Sequence, residues 1–242
     1  MSYEPWIAIA CTHGEFLDRD AFDVVMGFVE RWKPVRRFLL GDIYDFAAFR
    51  SGAKGSADEA RQIPDDLSAG AMVIERFRPT DVVIGNHDER VFQLADHHNA
   101  ITAMAARACI TEFRGACERA GVDRLVESHD INESWIEYGG TKFLHGFMFN
   151  EMGLRDHAEH FGNCVIGHLH TPHSMHGRRS DNPTAHCVGM LADRAKLKYA
   201  SRRRSTSRWA LGFGWGEANE TNCIVRVEQC EPGRAKDWRL PL

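Results

Sequence analysis

Five short apolar runs in this chain each break off at polar residues able to bind a cation. Ile7-Ala8-Ile9-Ala10 stops at Cys11-Thr12-His13, Arg37-Phe38-Leu39-Leu40 at Gly41-Asp42, and Asp81-Val82-Val83-Ile84 at Gly85-Asn86-His87-Asp88. Thr141-Lys142-Phe143-Leu144 leads into His145, and Asn163-Cys164-Val165-Ile166 into Gly167-His168-Leu169-His170. Runs of this length, bounded by glycine and polar residues, read as strands buried on both faces. Strands that repeatedly end in polar clusters predict an α/β fold with its site at the carboxyl ends of the strands.

The segments between the strands have helical period. Phe22, Val25, Met26 and Val29 fall at i, i+3, i+4 and i+7, with Asp18 or Asp20 as cap and Pro34 as stop. Leu67, Ala71, Ile74 and Phe77 form a second helical face, and residues 100–120 a longer one with Ile101, Met104, Ala105 and Ala108 on one side. Trp135-Ile136-Glu137-Tyr138 and Thr141–Leu144 flank Gly139-Gly140, which predicts a hairpin with a two-residue turn. Cys223-Ile224-Val225-Arg226-Val227 reads as a closing strand. With no internal repeat, low-complexity segment or linker, residues 1–242 read as one domain. It carries a helical insertion around 89–134 and a basic, aromatic segment around 194–216.

Composition narrows the function classes. With 30 Lys+Arg against 34 Asp+Glu and a formal net charge of -4, no global attraction draws the chain to nucleic acid or an anionic membrane, so such a role needs a local patch. No segment approaches the roughly 20 apolar residues that span a bilayer, and no basic, then apolar leader opens the sequence. A cytoplasmic protein without membrane contact is the expectation. The seven cysteines are scattered without paired spacing, which fits reduced thiols.

Taken singly, the strand-end residues have ordinary structural readings: a hydrogen-bonded histidine, a Gly-Asp turn, a helix cap. Together they offer imidazole, carboxylate and amide oxygen, a donor set that suits first-row divalent ions, and a shared carboxylate can hold two of them. The order Cys11-x-His13, Gly41-Asp42-x-x-Asp45, Gly85-Asn86-His87-Asp88, His145-Gly146 and Gly167-His168-x-His170 resembles the signature of the calcineurin-like metallophosphoesterase superfamily. The resemblance runs from residue 11 to 170. It implies a four-layer α/β/β/α sandwich with two divalent transition-metal ions, manganese, iron or zinc. Cys11, His13, Asp42 and His170 would hold the first ion, and Asp42, Asn86, His145 and His168 the second. His87 would be the proton donor with Asp88 holding its ring, and Asp45 a supporting partner behind the ligands.

Cys11 departs from the family, which usually has aspartate there. A thiolate keeps the single negative charge and changes its softness, favouring zinc or iron over magnesium or calcium. Two other readings stand beside this one: Cys11 as a small buried residue next to a three-liganded first site, and Cys11 as a ligand that oxidation removes.

The resemblance implies hydrolysis of a phosphate ester by metal-activated water, with His87 protonating the leaving oxygen. Between Arg194 and Arg208 lie seven basic residues and no acid; Arg202, Arg203 and Arg204 sit beside Tyr199 and are followed by Trp209, Phe213 and Trp215. Basic side chains with aromatics suit the phosphates and bases of a nucleic acid or nucleotide, so a phosphodiester is the leading substrate class. A solvated basic loop accounts for the same residues. The alternatives are a phosphomonoesterase or protein phosphatase, and a catalytically silent metal- or nucleic-acid-binding protein.

Overall fold

Period-two alternation along the strands explains the layering. The computed structural model describes residues 2–197 and 204–241, with the side chains of 204 and 205 left aside. β1 (Glu4–Ile9), β2 (Arg36–Leu40), β3 (Asp81–Val83) and β4 (Arg124–Val126) run parallel in one sheet. Two antiparallel strands, β10 (Leu211–Ala218) and β11 (Cys223–Cys230), complete its order β11-β10-β1-β2-β3-β4. The second sheet has the order β5-β6-β7-β9-β8, from β5 (Trp135–Tyr138), β6 (Thr141–Leu144), β7 (Cys164–Ile166), β8 (His173–His176) and β9 (Thr184–Cys187).

Ile7, Ile9, Leu39 and Val82 face one way, onto α1 (Arg19–Trp32), α2 (Ile63–Phe77) and α4 (Ala100–Ala120). Their neighbours Trp6, Ala8, Phe38 and Val83 face the other way and meet Ile136, Phe143 and Val165 of the second sheet. Phe38 stacks on Phe143 at 4.0 Å, so aromatic packing closes the space between the sheets. On the far side of the second sheet Leu144, Cys164 and Ile166 bury Leu154, Ala158 and Phe161 of α5 (Gly153–Phe161). The result is the expected α/β/β/α sandwich.

Asp18 caps α1 through Ala21 N, and Gly139 and Gly140, both at positive φ, make the expected hairpin turn. The face expected for α4 is reversed. Ile101 and Met104 are 73% and 67% exposed, while Ala103, Ala106, Cys109, Ile110 and Phe113 are buried. Small residues at 103 and 106 let α4 approach the sheet beside α2, and the apolar character of Ile101 and Met104 misleads a reading by hydropathy alone. Residues 89–134 supply α3 (Glu89–Leu94), α4 and β4, the crossover that extends the first sheet by one strand. Among the described residues no helix is long and apolar enough to cross a membrane.

Candidate metal centre

The donor groups converge because each strand ends at the same rim. Cys11 and Asp42 each lie two residues beyond β1 and β2, Asn86 follows β3, His145 directly follows β6, and His168 lies two residues beyond β7. The first two loops continue the ladder past their strands: Cys11 N donates to Gly41 O and His13 N to Asp42 O, both at 2.9 Å. Gly85 is required by this crowding, since a Cβ there would stand 2.3 Å from Asp42 Oδ1.

Five of the nine described non-glycine residues at positive φ are Cys11, His13, Asp42, His168 and His170. Left-handed backbone at cysteine, histidine and aspartate costs energy and persists where surroundings impose it, which is typical of functional sites. The backbone bends so that side chains point into the rim.

Cys11, His13, Asp42 and His170 bring one donor atom each within 4.8 Å of the others, as do Asp42, His145 and His168. Asp42 belongs to both groups. His13 Nε2 lies 3.2 Å from His170 Nε2, and His145 Nε2 lies 3.2 Å from His168 Nδ1. Asn86 Oδ1 joins the second group, 3.0 Å from His168 Nδ1 and 3.2 Å from His145 Nε2.

Hydrogen bonds behind the rings set the tautomers. His13 Nδ1 meets Asp45 Oδ1 at 2.9 Å and His145 Nδ1 meets Leu40 O at 2.8 Å; both partners are acceptors, so Nδ1 carries the proton and Nε2 presents a lone pair inward. Imidazole nitrogens and amide and carboxylate oxygens this close together need positive charge between them, a shared proton or a cation. The donor set therefore fits two divalent cations, and the clustered groups suit a dinuclear metal site.

The electrostatics agree. Burial alone would raise the Asp42 carboxyl, but His145, His87 and His13 more than offset it and hold it well below the usual carboxylate range. Burial would lower His145, and Asp42 outweighs it and raises the ring, so this position favours positive charge. Burial and then Asp42 push the Cys11 thiol up, so deprotonating it takes a cation at the sulfur. Burial, then His13, lowers His170, and burial, then His145, lowers His168 to about 3; both rings are neutral, as ligands must be.

His87 lies at the edge of the cluster, its side chain 14% exposed. The expectation that Asp88 holds its ring is corrected. Asp88 accepts from the backbone N–H groups of Ile43, Tyr44 and Gly85 at 2.9 to 3.2 Å and so ties the loop after β2 to the loop after β3. Asp45 approaches the ring instead: its Oδ1 lies 2.8 Å from His87 Nδ1, a contact distance, although off the hydrogen-bond direction.

A crystal structure of a metallophosphoesterase from Sphaerobacter thermophilus matches this chain with a TM-score of 0.55 and 14% identity, over 97% of this chain and 91% of that one. The chain has the calcineurin-like metallophosphoesterase fold. A novel phosphatase from Mycoplasma pneumoniae aligns more weakly, with a TM-score of 0.48 and 10% identity over 99% of this chain and 98% of that one. No protein-family model and no curated protein matches the sequence.

On this metallophosphoesterase frame the proposed substrate residues divide. Tyr199, Arg202 and Arg203 lie outside the described residues, and Arg204 opens a short 3-10 turn, Arg204–Arg208. Trp209 packs edge-on to His170, ring centroids 4.3 Å apart, beside the first donor group. Phe213 and Trp215 are core residues: β10 pairs with β1 and turns both rings toward Phe28 of α1, so neither is available to stack on a base.

Four residues near the rim escaped the sequence reading. His129, just past β4, bonds Gly146 O at 3.0 Å and stacks on Phe147. His157 of α5 accepts from Phe147 N at 2.9 Å. Asp66 of α2 accepts from Phe46 N at 2.8 Å and from Glu15 N and Asp45 N at 3.3 Å, and Arg90 of α3 donates to Asp45 O at 2.6 Å. Only Arg90 stands beside a recognisable motif; the others depend on a helix face or a three-residue strand.

Proposed function

We propose that the protein hydrolyses phosphate esters. The observation that carries this reading is the pairing of two inward-facing donor groups around Asp42 with a histidine, His87, that belongs to neither. Cys11, His13, Asp42 and His170 would hold one divalent ion, and Asp42, Asn86, His145 and His168 the other. When bound, such a pair supplies Lewis acidity toward phosphoryl oxygens and lowers the pKa of water toward neutrality.

The remaining steps belong to the chain. Asp45 occupies the Nδ1 side of His87, which leaves Nε2 as the atom that gives a proton to the leaving oxygen. Asp45 also fixes His13, so one carboxylate supports both a ligand and the proton donor. Asp88 anchors the two loops to each other and keeps His87 and Asp42 in register; His87 N donates to Asp42 Oδ1 at 2.9 Å.

The phosphodiester expectation drew on basic residues and aromatics after residue 194. With Phe213 and Trp215 in the core, Trp209 is the described aromatic that supports it. A silent metal-binding protein is the reading from another class, and the His87–Asp45 contact speaks against it because holding a cation needs no proton carrier. The test is metal analysis of the purified protein together with turnover of mono- and diesters under each divalent ion. Bound metal without hydrolysis of any ester would overturn the proposal.

A further inference from the structure

In the loops that follow β2 and β3, one arginine has no carboxylate at ion-pair distance among the described residues. Of the three arginines in residues 41–62 and 84–99, Arg50 pairs with Asp58 and Arg61 pairs with Glu15 at 3.1 Å. Arg90 has no carboxylate at ion-pair distance among the described residues. Its hydrogen-bond partner is neutral: Nη1 donates to the backbone oxygen of Asp45 at 2.6 Å. Glu89, the adjacent acid, turns toward His129, with Oε2 3.6 Å from its Nδ1.

That bond ties the cation to the loop that follows β2. Asp45 is also the residue whose carboxylate touches His87, so the guanidinium and the proposed proton donor contact the same residue, one through its backbone oxygen and one through its side chain. Arg90 lies three residues after His87, within the first turn of α3, and is partly buried. Arginine has five N–H donors in a planar fork, and one is used here. A half-buried cation with spare donors and no anion is a costly arrangement unless an anion arrives.

We propose that Arg90 is a substrate-binding residue that favours the dianionic phosphate of a monoester over a diester. This rests on the reading of the site as a phosphoesterase and names its substrate class. A monoester phosphate has three non-bridging oxygens and close to two negative charges at neutral pH, whereas a diester has two such oxygens and one charge. An additional guanidinium at the site gains most from the third oxygen, which in a diester is an uncharged ester link. The fork geometry also matters, so lysine is an incomplete replacement.

The experiment compares wild type, Arg90→Gln and Arg90→Lys in three measurements. These are binding of inorganic phosphate by calorimetry to the metal-loaded protein, bound metal per chain, and kcat/KM for an aryl phosphomonoester against the corresponding bis-aryl diester. In Arg90→Gln, phosphate should bind about 10- to 100-fold more weakly, as expected for losing a charge-assisted hydrogen bond, with metal content retained. The monoester-to-diester ratio of kcat/KM should fall about tenfold or more, through KM rather than kcat, and Arg90→Lys should be intermediate. Unchanged phosphate affinity, an equal loss on both esters, or loss of metal would each overturn the role of Arg90. If wild type turns over neither ester yet binds phosphate in an Arg90-dependent way, the hydrolytic reading fails while the anion site stands.

Discussion

Asp45 Oδ1 lies 2.8 Å from His87 Nδ1, and the same oxygen accepts from His13 Nδ1 at 2.9 Å. One buried atom thus supports a candidate metal ligand and the candidate proton donor together. The two histidines hold the Asp45 carboxyl well below its usual range despite burial that would raise it, so it is ionised at any working pH.

Replacing Asp45 by asparagine should therefore reduce both functions at once. The ring of His13 loses its charged partner and that of His87 its orienting contact. Supporting carboxylates of this kind are worth about 10- to 100-fold in metal affinity or activity. Metal titration and kcat measured on the same preparation should both decline. A fall in turnover at full metal occupancy would confine the role of Asp45 to His87.

His87→Ala separates the two functions. His87 lies outside both donor groups around Asp42 and clusters instead with His13 and Asp45, so its loss should leave the two ions at Asp42 in place and slow turnover by about 10²- to 10⁴-fold. The penalty should shrink for esters with good leaving groups, which need less protonation. A rate loss independent of the leaving group would show that His87 does not donate the proton.

Acid should loosen the loop that follows His145, through His157. This ring is fully buried in α5, accepts from Phe147 N and donates to Gly153 O. Burial lowers it from 6.5 to about 4, with the Gly153 bond opposing. The folded state therefore binds fewer protons than the unfolded one between those values, and the stabilisation is complete above pH 6.5 and is lost as pH falls toward 4. The amount at stake is about 3 kcal/mol. Urea unfolding at pH 8 and pH 5 should show about 2 kcal/mol of that decline, and in His157→Gln the decline should be smaller. An identical pH dependence in both proteins would remove His157 from the explanation.

Much of the rim was legible in the sequence, for a physical reason. A strand buried on both faces leaves an apolar run that ends abruptly, and the residue after the break must occupy the sheet edge. Cys11, Asp42, Asn86, His145 and His168 all have that position. Roles set by contacts across the fold were not legible. Asp88 follows His87 in sequence yet spends its carboxylate on Ile43, Tyr44 and Gly85, while Asp45, 42 positions earlier, reaches the ring. The aromatics of β10 follow a basic run and so read as part of a binding segment; pairing with β1 buries Phe213 and Trp215. α4 shows the limit of hydropathy, since alanines and cysteines face its core and Ile101 and Met104 face solvent.

Cys11 offers the most specific test of the metal centre. Its sulfur is fully buried, accepts from His168 N at 3.2 Å and lies in the group with His13, Asp42 and His170. Cys11→Ala removes one anionic donor, so occupancy of the first site should fall while the group of Asp42, Asn86, His145 and His168 keeps its donors. Cys11→Asp returns the negative charge on a harder oxygen, so binding should recover with preference moved from zinc or iron toward manganese or magnesium. The aspartate must also fit: Gly167 packs so closely that a Cβ on it would stand 3.2 Å from the sulfur, and a larger side chain at 11 presses on that loop. Metal stoichiometry of wild type, Ala and Asp proteins, measured beside their melting temperatures, distinguishes lost ligation from lost packing. Two metals per chain in Cys11→Ala would reduce Cys11 to a packing residue. Metal loss in Ala that Asp restores with altered selectivity would show that the thiol at the end of the first strand holds a cation.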